Sequence, residues 1–298
     1  MGIFHQLACS TLPLIPRPVM RRLAGRYIAG EELGQAISRL EELKQAGFAG
    51  VLDMLGEDVR DEREARAALA EYKRGVEALA EKSIDAYVSV KPTHFGLRQK
   101  GDLAFELYDE LLTHCAKYGQ KSRVEMEDHG TTDATLKLFA RLRAKHPNVG
   151  IVLQSRLFRT PHDIDNLPQG PVDVRMVKGI YLEPESIAHT AADPIREAYI
   201  EQCQQLWKAG HFIALASHDD ILVRRLMDWA AANGVARDRY EIEVLLGVRE
   251  PIWQAWLAEG HKVRVYVPYG PDWRAYSQRR LRKNPQMLKA VMLGMFRK

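Results

Sequence analysis

The feature that most constrains this 298-residue chain is an alternation repeated along its whole length. Short β-branched apolar runs recur at 48–54, 85–91, 123–127, 149–154, 172–178, 212–217, 240–245 and 263–268, among them FAGVLDM, VGIVLQ and VRVYVP. Between them lie stretches with apolar residues at helical spacing, such as DLAFELYDELLTHCAKYG and PIREAYIEQCQQLWKAG. Several open at Asp or Thr and stop near Gly, as at Asn233-Gly234 and Ala209-Gly210. Strands alternating with helices predict βαβ units and a parallel sheet. The eight runs close into an α/β fold, a (β/α)8 TIM-type barrel, which leaves no edge strand exposed. A doubly wound open sheet binding a dinucleotide would carry a Gly-rich phosphate loop after its first strand; this chain has LGEDVRDERE there instead. Residues 1–30, with PRPVMRRLAGRYIAG, read as a short N-terminal helical segment that packs on the barrel or closes its bottom. Residues 31–298 read as the barrel catalytic domain.

Charged residues at 28% and hydrophobic ones at 46% fit a globular protein with a large core. A net charge of +4 is too small to argue for nucleic acid, but it is unevenly spread. Residues 273–298 contain no acid, while Arg274, Arg279, Arg280, Arg282, Lys283, Lys289, Arg297 and Lys298 are basic. That segment could touch anionic lipid or an acidic ligand, or could be a solvated helix face. Cys9, Cys115 and Cys203 are scattered, without CxxC, which suits a reducing cytoplasm. No apolar run reaches membrane-spanning length, and the N-terminus lacks the basic-then-apolar order of a signal peptide. The histidines show no HExxH or HxH spacing, so no metal is expected.

In such a barrel the C-terminal strand ends build the active site. They carry Asp53 and Glu57, Lys91, Glu125, Glu127 and Asp128, Gln154, Arg175 and Lys178, Ser217, His218 and Asp219, Glu243 and Tyr266. A parallel barrel strand should be nearly all apolar, so Arg175 between Val174 and Met176 is a costly placement, as is Lys91. Either they pair structurally with Asp85, Asp173 or Glu125, or they serve a ligand. After the last strand, Pro271-Asp272 starts a helix on which Tyr276, Arg279 and Arg280 share one face. Adjacent guanidiniums repel unless an anion lies between them, and Arg presents a fork suited to a carboxylate or phosphate.

The stretch YVPYGPDWRAYSQRRLRKNP resembles the C-terminal signature of the proline dehydrogenases, flavin-dependent first enzymes of proline catabolism. VSVKPTHFGL, VEMED, VGIVLQSRLFRT, VRMVKGIYLEP, ASHD and YEIEVLLGV resemble other blocks of that family in the same order, so the resemblance covers about residues 30–285. It implies a distorted (β/α)8 barrel that oxidises L-proline to 1-pyrroline-5-carboxylate with FAD, by hydride transfer to flavin N5, and passes electrons to a quinone. By the same resemblance Arg279, Arg280 and Lys91 hold the substrate carboxylate, and Glu57 gates the site. Tyr266, Tyr276, Leu245 and Tyr181 wall the ring. Arg175 lies near flavin N5, and Gln154, Val177, Lys178, Gly179, Ser217, His218 and Glu125 contact the cofactor. Glu125 stands where the family usually has Asp, Glu243 where Gln is common, Ile180 where Ala is common, and Lys283 where the family has Glu. The implied location is cytoplasmic, with peripheral contact at the inner membrane face open, and no nucleic-acid partner. From the residues alone, a Schiff-base aldolase using Lys91 or Lys178 remains an alternative.

Overall fold

The computed structural model describes residues 25–99, 101–274 and 276–277. Most of the expected N-terminal helix, and the helix beyond Ser277 with Arg279, Arg280 and Lys283, lie outside the described residues. Residues 25–30 form a turn and an extended stretch. This stretch lies at the C-terminal ends of the barrel strands rather than closing the base: Ala29 donates to Pro268 O at 2.9 Å and Gly270 to Gly30 O at 3.0 Å.

The strands are β1 (Ala49–Met54), β2 (Ala86–Val90), β3 (Ser122–Val124), β4 (Val149–Gln154), β5 (Asp173–Val177), β6 (Phe212–Ala216), β7 (Tyr240–Leu245) and β8 (Val263–Tyr269). Each pairs in parallel with the next, and β8 returns to β1, closing the expected eight-stranded barrel. α1 (Leu33–Gln45) precedes β1. The crossovers carry α2 (Glu62–Glu81), α3 (Leu103–Lys117), α4 (His129–Lys145), α5 (Thr160–Asp165), α6 (Ala192–Lys208), α7 (Asp220–Ala232) and α8 (Glu250–Ala258). Local chemistry sets their ends. Asp61 caps α2 by accepting from Glu64 N at 2.9 Å, and Asp219 caps α7 by accepting from Leu222 N at 3.1 Å. Along α2, Ala65, Ala68, Leu69, Tyr72, Val76 and Leu79 are buried at helical spacing. The one clear boundary difference is β3, which stops at Val124 instead of running to 127.

Side-chain alternation splits each strand between two environments. Outward positions such as Leu52, Val88, Val124, Ile151, Met176, Leu215, Ile242 and Val265 are buried and join the main hydrophobic core. Inward positions are very different. The register Asp53↔Ser89↔Arg123↔Gly150↔Asp173, with Arg175 two residues further up β5, Glu241 level with Arg175 across Ala214, and Glu243 two residues beyond that on β7, puts polar side chains inside the barrel. Arg123 is fully buried, donating to Glu243 at 2.7 Å and also to Tyr87 OH and Asp173. Gly150 makes room for it: a Cβ there would lie 2.8 Å from Asp173 O and 3.2 Å from Arg123 Nε. Nearer the base, Arg264 donates from Nε to Glu241 at 2.9 Å, and to Gly50 O at 2.9 Å and an Asp85 carboxylate oxygen at 3.1 Å.

Barrel interiors are normally layers of branched apolar residues. A charged filling survives only while each ion keeps its partner. Arg264→Met takes the hydrogen-bonded cation from Glu241, itself 1% exposed, and leaves it only Lys262 at 3.9 Å. It should therefore lower unfolding free energy by about 3–5 kcal/mol. Equilibrium urea unfolding checks this, and a loss within ordinary surface-mutation scatter would mean that water already reaches Glu241.

Candidate active site

The C-terminal strand ends form the mouth, and Arg175 on β5 is its floor at 3% exposure. Arg175 Nε donates to Glu243 and Nη1 to Glu125. Nη1 also reaches Ser89 Oγ at 3.3 Å, and Nη2 reaches Tyr87 OH at 3.2 Å. The guanidinium carbon sits 5.0 Å from the centre of the Tyr266 ring. Glu125 Oε1 accepts from Ser89 as well, and from Tyr266 OH at 3.2 Å. Burial works to raise the Glu125 carboxyl, but Arg175, Ser89 and Lys91 outweigh it and hold it below its ordinary value.

Lys91 follows β2 and leads into a 3₁₀ turn, Pro92–Phe95. Thr93 in that turn donates from N and Oγ1 to buried Glu127 at 2.9 and 2.7 Å, and accepts from Asp58 N at 3.0 Å. Glu127 thereby ties together the loops that follow β1, β2 and β3. Lys91 Nζ stands 3.7 Å from Asp53. Burial would depress the Lys91 ammonium, yet Asp53, Glu125, Glu57 and Glu127 together raise its pKa, so it stays charged. Asp53 is pushed up to about 6 by burial, against the pull of Lys91. Its Oδ1 has no hydrogen-bond partner among the described residues. The described wall therefore sets five carboxylates, Asp53, Glu57, Glu125, Glu127 and Glu243, against Lys91 and Arg175. Arg279 and Arg280, expected from the sequence to join Lys91 in holding a carboxylate, lie outside the described residues.

A second group lines the ends of β4 to β7. Gln154 Nε2 donates to Glu127 O at 2.8 Å, while its buried Oε1 lacks a partner among the described residues. Gly179, at φ 93°, passes so close that a Cβ would lie 2.7 Å from that oxygen. Lys178 pairs with Asp219 at 2.6 Å, and Arg196 joins at 2.9 Å. Burial works against it, but these two cations hold Asp219 down to about 2. Ser217 Oγ accepts from Asp219 N at 3.2 Å, and His218 Nε2 accepts from Leu245 N at 2.9 Å, locking the end of β6 to β7. Val177 pairs in register with Gln154 and Ala216.

The fold thus brings Lys91, Glu125, Arg175 and Tyr266 into one cluster, and sets Leu245 beside Tyr266 in the β7–β8 register. Burial raises the Tyr181 hydroxyl, with Glu127, Glu57 and Glu125 adding to it, which places that ring at the same mouth. Burial raises the Tyr266 hydroxyl, with Asp53 and Glu125 adding to it and Tyr276 contributing least. Ile180, which stands where the family commonly has Ala, is 65% exposed. The strand-end reading gave no role to Tyr87 or Arg123, or to Glu127 as an anchor. The signal for the first two was present: polar residues recur at every second position in Tyr87-Val88-Ser89, Arg123-Val124-Glu125, Glu241-Ile242-Glu243 and Arg264-Val265-Tyr266.

Comparison with known proteins agrees with this architecture. Residues 36–291 match the family model described as proline dehydrogenase. Proline dehydrogenase 2 of Bacillus subtilis is 32% identical over 278 residues, 93% of this chain and 92% of its own length. The proline dehydrogenase of Deinococcus radiodurans is 33% identical over 288 residues, 95% of this chain and 93% of its own. Among solved structures, proline utilization A from Bdellovibrio bacteriovorus, inactivated by N-propargylglycine, superposes with a TM-score of 0.81 over 90% of this chain. At 22% identity that likeness is one of fold, and this chain spans 33% of that longer one. With sequence matches running nearly end to end on both sides, and a barrel to carry them, the chain belongs to the proline dehydrogenase family of enzymes.

Proposed function

We propose that this chain oxidises L-proline to 1-pyrroline-5-carboxylate with FAD as the resident acceptor, and that a quinone receives the electrons. The observation that carries the reading is Lys91: a nearly buried ammonium, kept charged by surrounding carboxylates, at a mouth walled by aromatic rings. A Schiff-base lysine must be neutral to attack. Lys91 is held in the opposite state, and Lys178 is spent on Asp219, so both lysines suit anion binding better than aldol chemistry.

The residues fit FAD. Gln154 Oε1 is a buried acceptor without a partner among the described residues, which suits a ligand N–H. Gly179 offers bare backbone beside it, with the Arg156 side chain against the same glycine, and two cations, Lys178 and Arg196, share the single Asp219 carboxylate nearby. Gln154, Arg175, Val177, Lys178, Gly179, Ser217, His218 and Glu125 would hold the group. When bound, FAD supplies the hydride acceptor at its N5. The chain does the rest. Lys91 takes the proline carboxylate together with Arg279 and Arg280, which fixes the ring carbon beside nitrogen toward the acceptor. Tyr266, Tyr276, Leu245 and Tyr181 exclude water and press the ring flat, and Glu57 gates entry. Arg175 retains an Nη2 proton for developing negative charge. Proline loses a hydride from carbon and a proton from nitrogen, so its amine must react neutral. Among the described residues no helix is long and apolar enough to cross a membrane. A cytoplasmic protein meeting its quinone at the inner lipid surface fits that.

The visible spectrum tests the reading. Purified protein should show flavin absorption that bleaches when L-proline is added without oxygen. A colourless protein, or a flavin that proline leaves oxidised, would end it.

Lys91→Met should raise KM for proline by about 10- to 100-fold, the worth of one charge-assisted hydrogen bond, with flavin retained. Steady-state kinetics of the variant decide whether Lys91 touches the carboxylate.

Asp53 sets a pH dependence of stability. Its pKa rises from 3.8 unfolded to about 6 folded. The folded state thus holds the extra proton between those values, and stability falls as pH rises through that window. Asp53→Asn removes the group, so relative to it the native chain should lose up to about 3 kcal/mol between pH 4 and pH 7. Melting temperatures of the pair across that range measure it, and parallel curves would mean that Asp53 is ordinary.

A further inference from the structure

Arg175 and Arg123 lie on either side of one buried carboxylate. Glu243 takes Arg175 Nε on one oxygen, and on the other takes Arg123 Nη1 at 2.7 Å and Tyr87 OH. Nothing in this group reaches bulk water: Glu243 and Arg175 are each 3% exposed and Arg123 is 0% exposed. Arg123 also leans on Asp173, so its charge is shared, and Glu125 claims part of Arg175 from above. The field that Arg175 projects into the mouth is therefore a remainder, fixed by how much of its charge Glu243 cancels. A carboxylate cancels a full unit there. A neutral amide of the same size cancels none, and must also turn an N–H toward one of the two guanidiniums.

We propose that Glu243, buried against Arg175, is a positioning residue that sets the strength of Arg175, holding the bound flavin at a lower reduction potential than an uncharged side chain there would. This rests on the FAD and Arg175 assignments above. The interaction is strong because its medium is dry, where a unit charge reaches further than in water. Glu243 also fixes the guanidinium plane by gripping Nε, while Glu125 and Tyr87 hold the two terminal nitrogens.

The test is an anaerobic redox titration of the flavin in the holoenzyme, with kinetics and apoprotein melting run beside it. Glu243→Gln should move the equilibrium about tenfold toward reduced flavin, about 30 mV more positive for a two-electron couple. KM for proline should change little, because the clamp is elsewhere. Glu243→Asp keeps the charge and should return the potential close to that of the parent. If Glu243→Gln fails to fold, the double variant Arg123→Met/Glu243→Gln removes one cation with the anion. Its potential should still rise, because Glu243 contacts Arg175 directly while Arg123 is one group further away. A lowered melting temperature with an unmoved potential would make Glu243 a structural residue only and overturn the proposal. So would equal shifts in the Gln and Asp variants, which would point to packing rather than charge. A colourless parent would overturn the flavin assignment together with this one. A yellow parent reduced by proline, with a Gln variant of parental potential, would overturn this one alone.

Discussion

One carboxylate between two guanidiniums organises the middle of this barrel. Arg123 and Arg175 would repel each other in a medium this dry, and Glu243 is what lets them stand side by side. From that contact the pairing runs both ways, down through Asp173 and Lys121 toward the base and up through Glu125 to Tyr266 and the mouth. The floor of the site is therefore held from inside the barrel wall, and not only by the loops around it.

This arrangement separates two tasks that one sheet has to perform. The outward faces supply the hydrophobic stabilisation, in continuous contact with the helices. The inward faces contribute little net stability, because desolvating the ions costs about as much as their pairing returns. What they provide is rigidity: a guanidinium gripped at all three nitrogens cannot swing, and a preorganised charge needs no reordering during reaction. At the mouth the same logic relaxes. Lys91 is balanced by carboxylates at longer range, the nearest at 3.7 Å, so it is less tightly committed than Arg175.

Much of this was legible in the sequence. The strand runs gave the barrel because β-branched clusters between helix-period stretches have few other solutions, and a lone Arg175 in an apolar run marked its own interior. The end of β3 was misjudged for a physical reason. Glu125 and Glu127 continue the alternation on paper, but Glu127 turns away to hold Thr93, and the ladder stops at Val124. The extended path of residues 25–30 was hidden too, since it is fixed by contacts with Pro268 and Gly270, far off in sequence. Which acid serves which base could not be read, because Arg123 and Glu243 are 120 residues apart and meet only when the barrel closes.

Gly150 carries a consequence for how such an interior can change over generations. Its missing side chain is the hole through which Arg123 reaches Asp173. Any larger residue there meets the Asp173 backbone carbonyl first, at 2.8 Å, and the arginine second, at 3.2 Å, and the arginine cannot go while two acids still depend on it. The order of replacement is therefore constrained, and single steps toward an aliphatic filling pass through a worse intermediate. Descendants of this chain are more easily retuned at one charge than rebuilt.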